Sequence, residues 1–201
     1  MIQIVLVDDH PLAINGIGAW LSSTGRFAIA GTAGTLAEAR SLFERIEAMP
    51  EIVILDISLG PEDGLDLIPA LKKVCTERAA PMPGILVCSV YEDPFLIQRA
   101  LDLGAEAYVS KSAESGEIIS AIDAILVGEC YVNPKYHTGF RRKAWTVLSP
   151  RENEIVSLVK RSMSNAQIAK HLGLSARTIE NHLAHIYVKA DVASREELMK
   201  I

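Results

Sequence analysis

The sequence predicts an α/β protein: a doubly wound, five-stranded parallel sheet followed by a small all-α domain of four helices. Three observations predict it. Short apolar runs alternate with helix-length amphipathic stretches over the first 128 residues. That rhythm stops over 129–146 (ECYVNPKYHTGFRRKAWT), which is rich in basic residues and carries Pro and Gly. Four short helical patterns without strands then fill 147–201. The expected division is therefore 1–128, a linker at 129–146, and 147–201.

The strand candidates are 2–7 (IQIVLV), 27–31 (FAIAG), 52–56 (IVILD), 84–89 (GILVCS) and 106–109 (EAYV). They are short and rich in Val and Ile, as strands buried on both faces are. Helices are expected near 11–23, 35–49, 64–78, 93–104 and 114–128. In the second, Leu36, Ala39, Leu42, Phe43 and Ile46 recur at helical spacing, and Thr35 with Glu38 reads as a capping box. Five βα units in sequence imply a parallel sheet wound on both sides. In the last quarter, Ser149 and Ser175 are expected N-caps, Pro150 takes a first helical position, and Gly173 ends a helix. The tight HLGLS turn between two helices makes a helix-turn-helix.

Composition narrows the class. The chain has 201 residues, 49% hydrophobic and 22% charged, which fits an ordinary globular protein. No apolar run reaches the roughly 18 residues of a membrane span, and no signal-peptide pattern opens the chain. Three cysteines without metal or redox spacing point to a reducing, cytoplasmic setting. Cys88, inside GILVCSV, is expected to be a small buried apolar residue. Residues 1–128 hold 18 acidic against 8 basic side chains, and 129–201 hold 7 against 12. A basic second part suggests an anionic partner, although much of that excess lies in the linker.

Open α/β sheets bind ligands beyond the carboxyl ends of their strands. Asp8 and Asp9 end the first predicted strand, Asp56 the third and Ser89 the fourth, and Lys111 follows the fifth. Three carboxylates at one edge are costly unless a cation neutralises them, and hard oxygen ligands suit Mg²⁺. Cation, ammonium and hydroxyl together can stabilise the oxygens of a transferring phosphoryl group. Asp56 is then the carboxylate nucleophile that becomes an acyl phosphate. A metal-dependent phosphohydrolase is the rival from a different class, disfavoured because no general acid accompanies Asp56. His10, before Pro11, reads as an exposed loop residue, since this transfer needs no base.

These residues, with DDHPL and LDISLGPEDG, resemble the receiver domain of two-component response regulators over residues 1 to about 125. The resemblance implies a flavodoxin-like fold and phosphorylation of Asp56 by a sensor histidine kinase. It implies that Asp9 holds Mg²⁺ directly, Asp8 partly through water, and that the Ser58 main-chain carbonyl completes the set with Asp56. It makes Ser89 and Tyr108 a switch pair and Lys111 the phosphate-binding lysine. Three positions depart from the pattern: Val90 replaces a small residue after Ser89, Ser112 stands where many receivers carry a cis proline, and Pro61 is displaced by one place.

LSPRE, SNAQIA, LGLSARTIENHL and SREEL resemble the LuxR-type helix-turn-helix of the NarL/FixJ subfamily over 148–198. Ile179, Leu183, Ile186 and Ala190 share one helical face and are expected in the core. Arg177, Glu180, Asn181, Ala184 and Val188 face the other way, free to enter a major groove. Thr178, His182 and Lys189 flank them, suited to phosphates. Asn165, Ser175 and His185 complete the expected DNA-contacting set. Ser162 stands where relatives usually carry Gly, and Glu180 where many carry Lys. The whole resembles a non-enzymatic, cytoplasmic transcriptional regulator in which phosphorylation switches dimerisation and binding to double-stranded promoter DNA. The alternative is a phosphorylation-regulated protein-interaction module whose helical domain binds no DNA.

Overall fold

The computed structural model describes residues 1–133, 135–136, 148, 150–174, 176–190, 192 and 194–199. The elements of the first part are β1 (Ile2–Val7), α1 (Pro11–Ser23), β2 (Phe27–Ala33), α2 (Leu36–Arg45), β3 (Ile52–Leu55), β4 (Ser58–Leu59), β5 (Glu62–Asp63), α3 (Leu67–Glu77), β6 (Gly84–Ser89), α4 (Pro94–Leu103), β7 (Ala107–Ser110), α5 (Ser115–Leu126) and β8 (Tyr131–Val132). Strands pair in parallel in the order β2-β1-β3-β6-β7-β8. The five predicted strands are therefore present. A short sixth strand is contributed by the segment read as linker, with Ala107 opposite Tyr131 and Tyr108 opposite Val132.

The period of two in each strand divides the core into two layers. Val5, Val7, Val53, Leu55, Ile85, Val87 and Tyr108 face α2, α3 and α4. Ile4, Leu6, Ile52, Ile54, Leu86, Cys88, Ala107 and Val109 face α1 and α5. Both faces are apolar, so the runs read as continuous hydrophobic stretches rather than alternating ones. Cys88 is 2% exposed, as its apolar setting predicts, and burial pushes its thiol up to about 12. The Thr35 cap forms, but its reciprocal half is shifted. Thr35 accepts from the Glu38 amide at 3.1 Å, while Glu38 Oε2 accepts from the Gly34 amide at 2.8 Å rather than from the cap residue.

The second part comprises α6 (Pro150–Lys160), α7 (Asn165–Leu172), α8 (Ala176–Lys189) and α9 (Arg195–Leu198). Ile155, Val159, Ile168, Ile179, Leu183, Ile186 and Leu198 form a third, separate core, and Ala190 packs against it. Ser164 caps α7 through a full capping box with Gln167, and Gly173 closes it at φ +68°. The expected caps Ser149 and Ser175 lie outside the described residues. Ser162 has φ +61°, a left-handed conformation in which a β-carbon costs about 1–2 kcal/mol. Ser162→Gly should raise the denaturant midpoint of the helical part by about 1 kcal/mol of stability. Equal midpoints by circular dichroism would show that the strain is relieved elsewhere.

Candidate functional site

The strand order reverses between β1 and β3, which opens a crevice at their carboxyl ends. Asp8 and Asp9 follow β1, and Asp56 follows β3. Parallel pairing of β1 with β3 places these carboxylates side by side, because Val7 lies opposite Leu55. Asp8 and Asp56 are buried, at 7% and 3% exposure. Lys111, carried over the crevice by the end of β7, bridges them: its Nζ lies 2.6 Å from Asp8 Oδ2 and 2.7 Å from Asp56 Oδ2. Burial opposes the ammonium charge, but the hydrogen bonds to Asp56 and Asp8 outweigh it and raise the Lys111 pKa.

Ligand atoms of Asp8, Asp9, His10 and Asp56 all lie within 4.8 Å of one another. Asp56 Oδ1 is buried with no hydrogen-bond partner, an acceptor whose desolvation a bound cation would offset. The donor set is mostly hard oxygen and fits Mg²⁺. His10 was not expected here. Its side chain is 66% exposed, as a loop residue's would be, yet Nδ1 lies 2.6 Å from Asp9 Oδ1 and 3.2 Å from Asp8 Oδ1. Its position directly after the acidic pair is the signal that could have found it.

The loop after Asp56 is a small hairpin. β4 and β5 pair antiparallel around Gly60, at φ +62°, and Pro61. The displaced proline thus occupies a two-residue turn. The Gly60 amide donates to Asp9 Oδ2 at 2.8 Å, Glu62 accepts from the Leu36 amide at 3.1 Å, and Asp63 pairs with Arg99 on α4. Gly64 closes the loop. A β-carbon there would stand 2.0 Å from the Asp56 carbonyl oxygen, so the main chain must move to admit one. Gly64→Ala should therefore misplace Asp56, and for the phosphoacceptor role expected of it from the sequence that means labelling slower by about 10²-fold, the usual cost of an ångström-scale error. Labelling by a small acyl phosphate at the wild-type rate would refute this.

Ser89 is fully buried, and its hydroxyl oxygen accepts a long bond from the Tyr91 amide, 3.4 Å. Tyr108 is fully buried too. Its hydroxyl donates to the Tyr91 carbonyl at 2.7 Å, so the ring is already turned inward, and burial pushes its pKa up. Val90 is 64% exposed beside the crevice. No cis peptide occurs among the described residues. Ser112 instead uses its hydroxyl, 2.8 Å from Ser110 Oγ and donating to Glu92 at 3.2 Å.

A family model of the response regulator receiver domain matches residues 4–123. The chain belongs to the response regulator family. A second model, of bacterial regulatory proteins of the luxR family, matches residues 146–201 of this response regulator. It is 28% identical to the transcriptional regulatory protein LiaR of Bacillus subtilis, over 98% of this chain and 94% of LiaR. It is also 28% identical to the oxygen regulatory protein NreC of Staphylococcus carnosus, over 98% and 95%. Among solved structures, a LuxR-family two-component response regulator from Aurantimonas sp. is 30% identical, with TM-score 0.57, over 68% of this chain and 92% of that one. RcsB from Salmonella enterica serovar Typhimurium, bound to a promoter with a phosphomimetic, shares the fold at 22% identity and TM-score 0.59, over 99% and 96%. No helix among the described residues is long and apolar enough to cross a membrane.

In the helical part of the response regulator, Arg177 and Glu180 are exposed on α8 as expected, and Thr178 is half-buried. Asn165 opens α7 and accepts from Arg195 at 3.0 Å. His182, expected beside the reading face, is instead 2% exposed, and a β-carbon at Gly128 would overlap its ring. Ser175 and the side chains of Asn181, Ala184, His185, Val188 and Lys189 lie outside the described residues.

Proposed function

We propose that this response regulator takes a phosphoryl group on Asp56 from a sensor histidine kinase and thereby switches its own dimerisation and binding to promoter DNA. The boundaries expected above serve this reading: a receiver over 1–128, a linker over 129–146 and a helix-turn-helix over 147–201, acting in the cytoplasm. The observation that carries it is Asp56 itself, buried, paired through one oxygen with Lys111 and holding the other without a partner.

An Asp56 oxygen attacks phosphorus, the bond to the donor's imidazole breaks, and that imidazole leaves. Lys111 is placed to follow the negative charge from the carboxylate to the phosphoryl oxygens, and Ser89 offers a hydroxyl beside them. Asp9, Asp8, Asp56 and the Ser58 carbonyl would hold Mg²⁺, which supplies charge neutralisation at the transferring group. Water slowly returns the acyl phosphate to the carboxylate. On the helical module, Arg177, Glu180 and Asn181 read bases, while Thr178, Lys189, His185, Asn165 and Ser175 hold phosphates or support the reading helix. His182 joins them once the receiver no longer covers it.

The test is duplex binding by the full chain, with and without phosphorylation, across a salt series. Phosphorylated protein should bind a selected duplex more tightly, with affinity falling linearly in log salt. Salt-independent binding, or none in either state, would favour the protein-interaction alternative.

A further inference from the structure

β8 covers the edge of the sheet with only two residues, Tyr131 and Val132. Its partner in the ladder is the switch residue, since Val132 lies opposite Tyr108. A turn follows in which the Tyr136 amide donates to the Asn133 carbonyl at 3.0 Å. Val132 and Tyr136 are buried in the core layer that holds Tyr108. Between them and the crevice stands Glu92, in the loop from β6 to α4. Glu92 Oε1 accepts from Lys135 Nζ at 3.2 Å and from Ser112 at 3.2 Å. The residue before it, Tyr91, receives the Tyr108 hydroxyl on its carbonyl and gives its amide to Ser89. Ser89, Tyr91, Glu92 and Lys135 are thus successive links from the phosphoacceptor site to the chain that leads on to the helical module.

The attachment is weak by construction. The ladder is two residues long. The Glu92–Lys135 pair is 41% and 52% exposed, and such pairs are individually worth little. The Tyr136 hydroxyl lies beside Glu92 and Lys135, and the Lys135 ammonium stands 4.6 Å from the centre of its ring, so the segment is held here by the same exposed pair. Asn133 adds one side-chain bond to Glu117 at 3.0 Å; elements held by so short a ladder and by exposed charges occupy the low-stability end of a fold, where switching elements are drawn from.

We propose that β8 (Tyr131–Val132) is a detachable sixth strand, latched to the receiver by Glu92 through Lys135, and that its docking reports the state of the Ser89–Tyr108 pair to the linker. The inference rests on the reading of Asp56 as phosphoacceptor. When the Ser89 hydroxyl turns to a phosphoryl group, it gives up the Tyr91 amide. The loop then carries Glu92 away from Lys135 and Ser112, and the strand loses its latch. Release adds Tyr131 and Val132 to the chain that joins the two parts, which is the physical change that phosphorylation delivers.

The experiment is hydrogen exchange on the full chain, read in the peptide spanning 129–133, which contains the Tyr131 amide bonded to the Glu106 carbonyl at 2.9 Å. Without phosphorylation, Glu92→Ala should raise exchange there about threefold, as the loss of an exposed ion pair does, with β1 and β3 peptides unchanged. Tyr136→Phe keeps the ring and removes a hydroxyl that faces Glu92 and Lys135, so it should raise exchange in the same peptide, by less than Glu92→Ala does. Wild type treated with acetyl phosphate and Mg²⁺, with one phosphoryl group confirmed by intact mass, should match Glu92→Ala. Wild-type protection in Glu92→Ala overturns the latch whatever happens at Asp56. Undiminished protection in fully phosphorylated protein overturns the coupling. An unlabelled Asp56 would instead overturn the phosphoacceptor reading, and the Glu92→Ala and Tyr136→Phe arms would still decide the latch.

Discussion

Asp56→Asn should take up no phosphoryl group from acetyl phosphate, while the wild-type chain gains one. The substitution keeps size and shape and removes the nucleophilic carboxylate. Lys111 keeps its 2.6 Å partner in Asp8, so the crevice does not collapse and the loss is chemical rather than structural. Asp9 alone does not replace the missing nucleophile. One of its oxygens accepts from the Gly60 amide and the other faces His10, and Lys111 pairs with Asp8 and Asp56 rather than with it. Chelating Mg²⁺ with EDTA should abolish wild-type labelling too, because Lys111 then competes alone for the crowded carboxylates. Intact-mass spectrometry reads both arms. Labelling that survives Asp56→Asn, or persists in EDTA, would move the acceptor to another carboxylate and remove the basis for Lys111 and Ser89 as its partners.

The crevice was legible in the sequence because parallel strands convert sequence into position. Once 2–7, 52–55, 84–89 and 107–110 are strands of one sheet, the residues that follow each must meet at one edge, and Asp8, Asp56, Ser89 and Lys111 do. Buried strands also announce themselves by composition, since both faces are apolar. The sixth strand carried no such mark. Tyr131 and Val132 sit among Gly, Pro and basic residues, and their pairing is set by the exposed edge of β7 rather than by any local period. The role of Gly64 was equally hidden, because the close approach of the Asp56 carbonyl depends on a hairpin that no periodicity predicts. His182 shows the limit of helical-wheel reasoning. The wheel gives the face of α8 on which it lies, but not that Gly128 stands against that face. Ser162 lies between these cases. Its departure from the usual Gly was visible, and its left-handed backbone gives the departure a physical cost.

Ile186→Ala should unfold the helical module and leave the receiver working. Ile186 is fully buried in the third core, and truncating such a side chain costs about 2–5 kcal/mol. A module of this size holds only about 3–5 kcal/mol of its own stability, so the loss is comparable to the whole. The receiver stands apart from it energetically, because no residue is shared between the third core and the two layers of the sheet. His182 touches Gly128, and Glu106 before β7 feels the charges of Glu152 and Arg151, but these approaches make no common core. Thermal unfolding should then show the helical transition lost and the receiver transition near its wild-type temperature. Acetyl phosphate should still label Asp56 at the wild-type rate, and duplex binding should fall to background. Ile186→Val, which removes one methyl group and costs about 0.5–1.5 kcal/mol, should keep the module folded and restore binding. A single cooperative transition that moves as a whole in Ile186→Ala would show that the two parts share one folding unit, and the separate third core would then not be an independent source of stability.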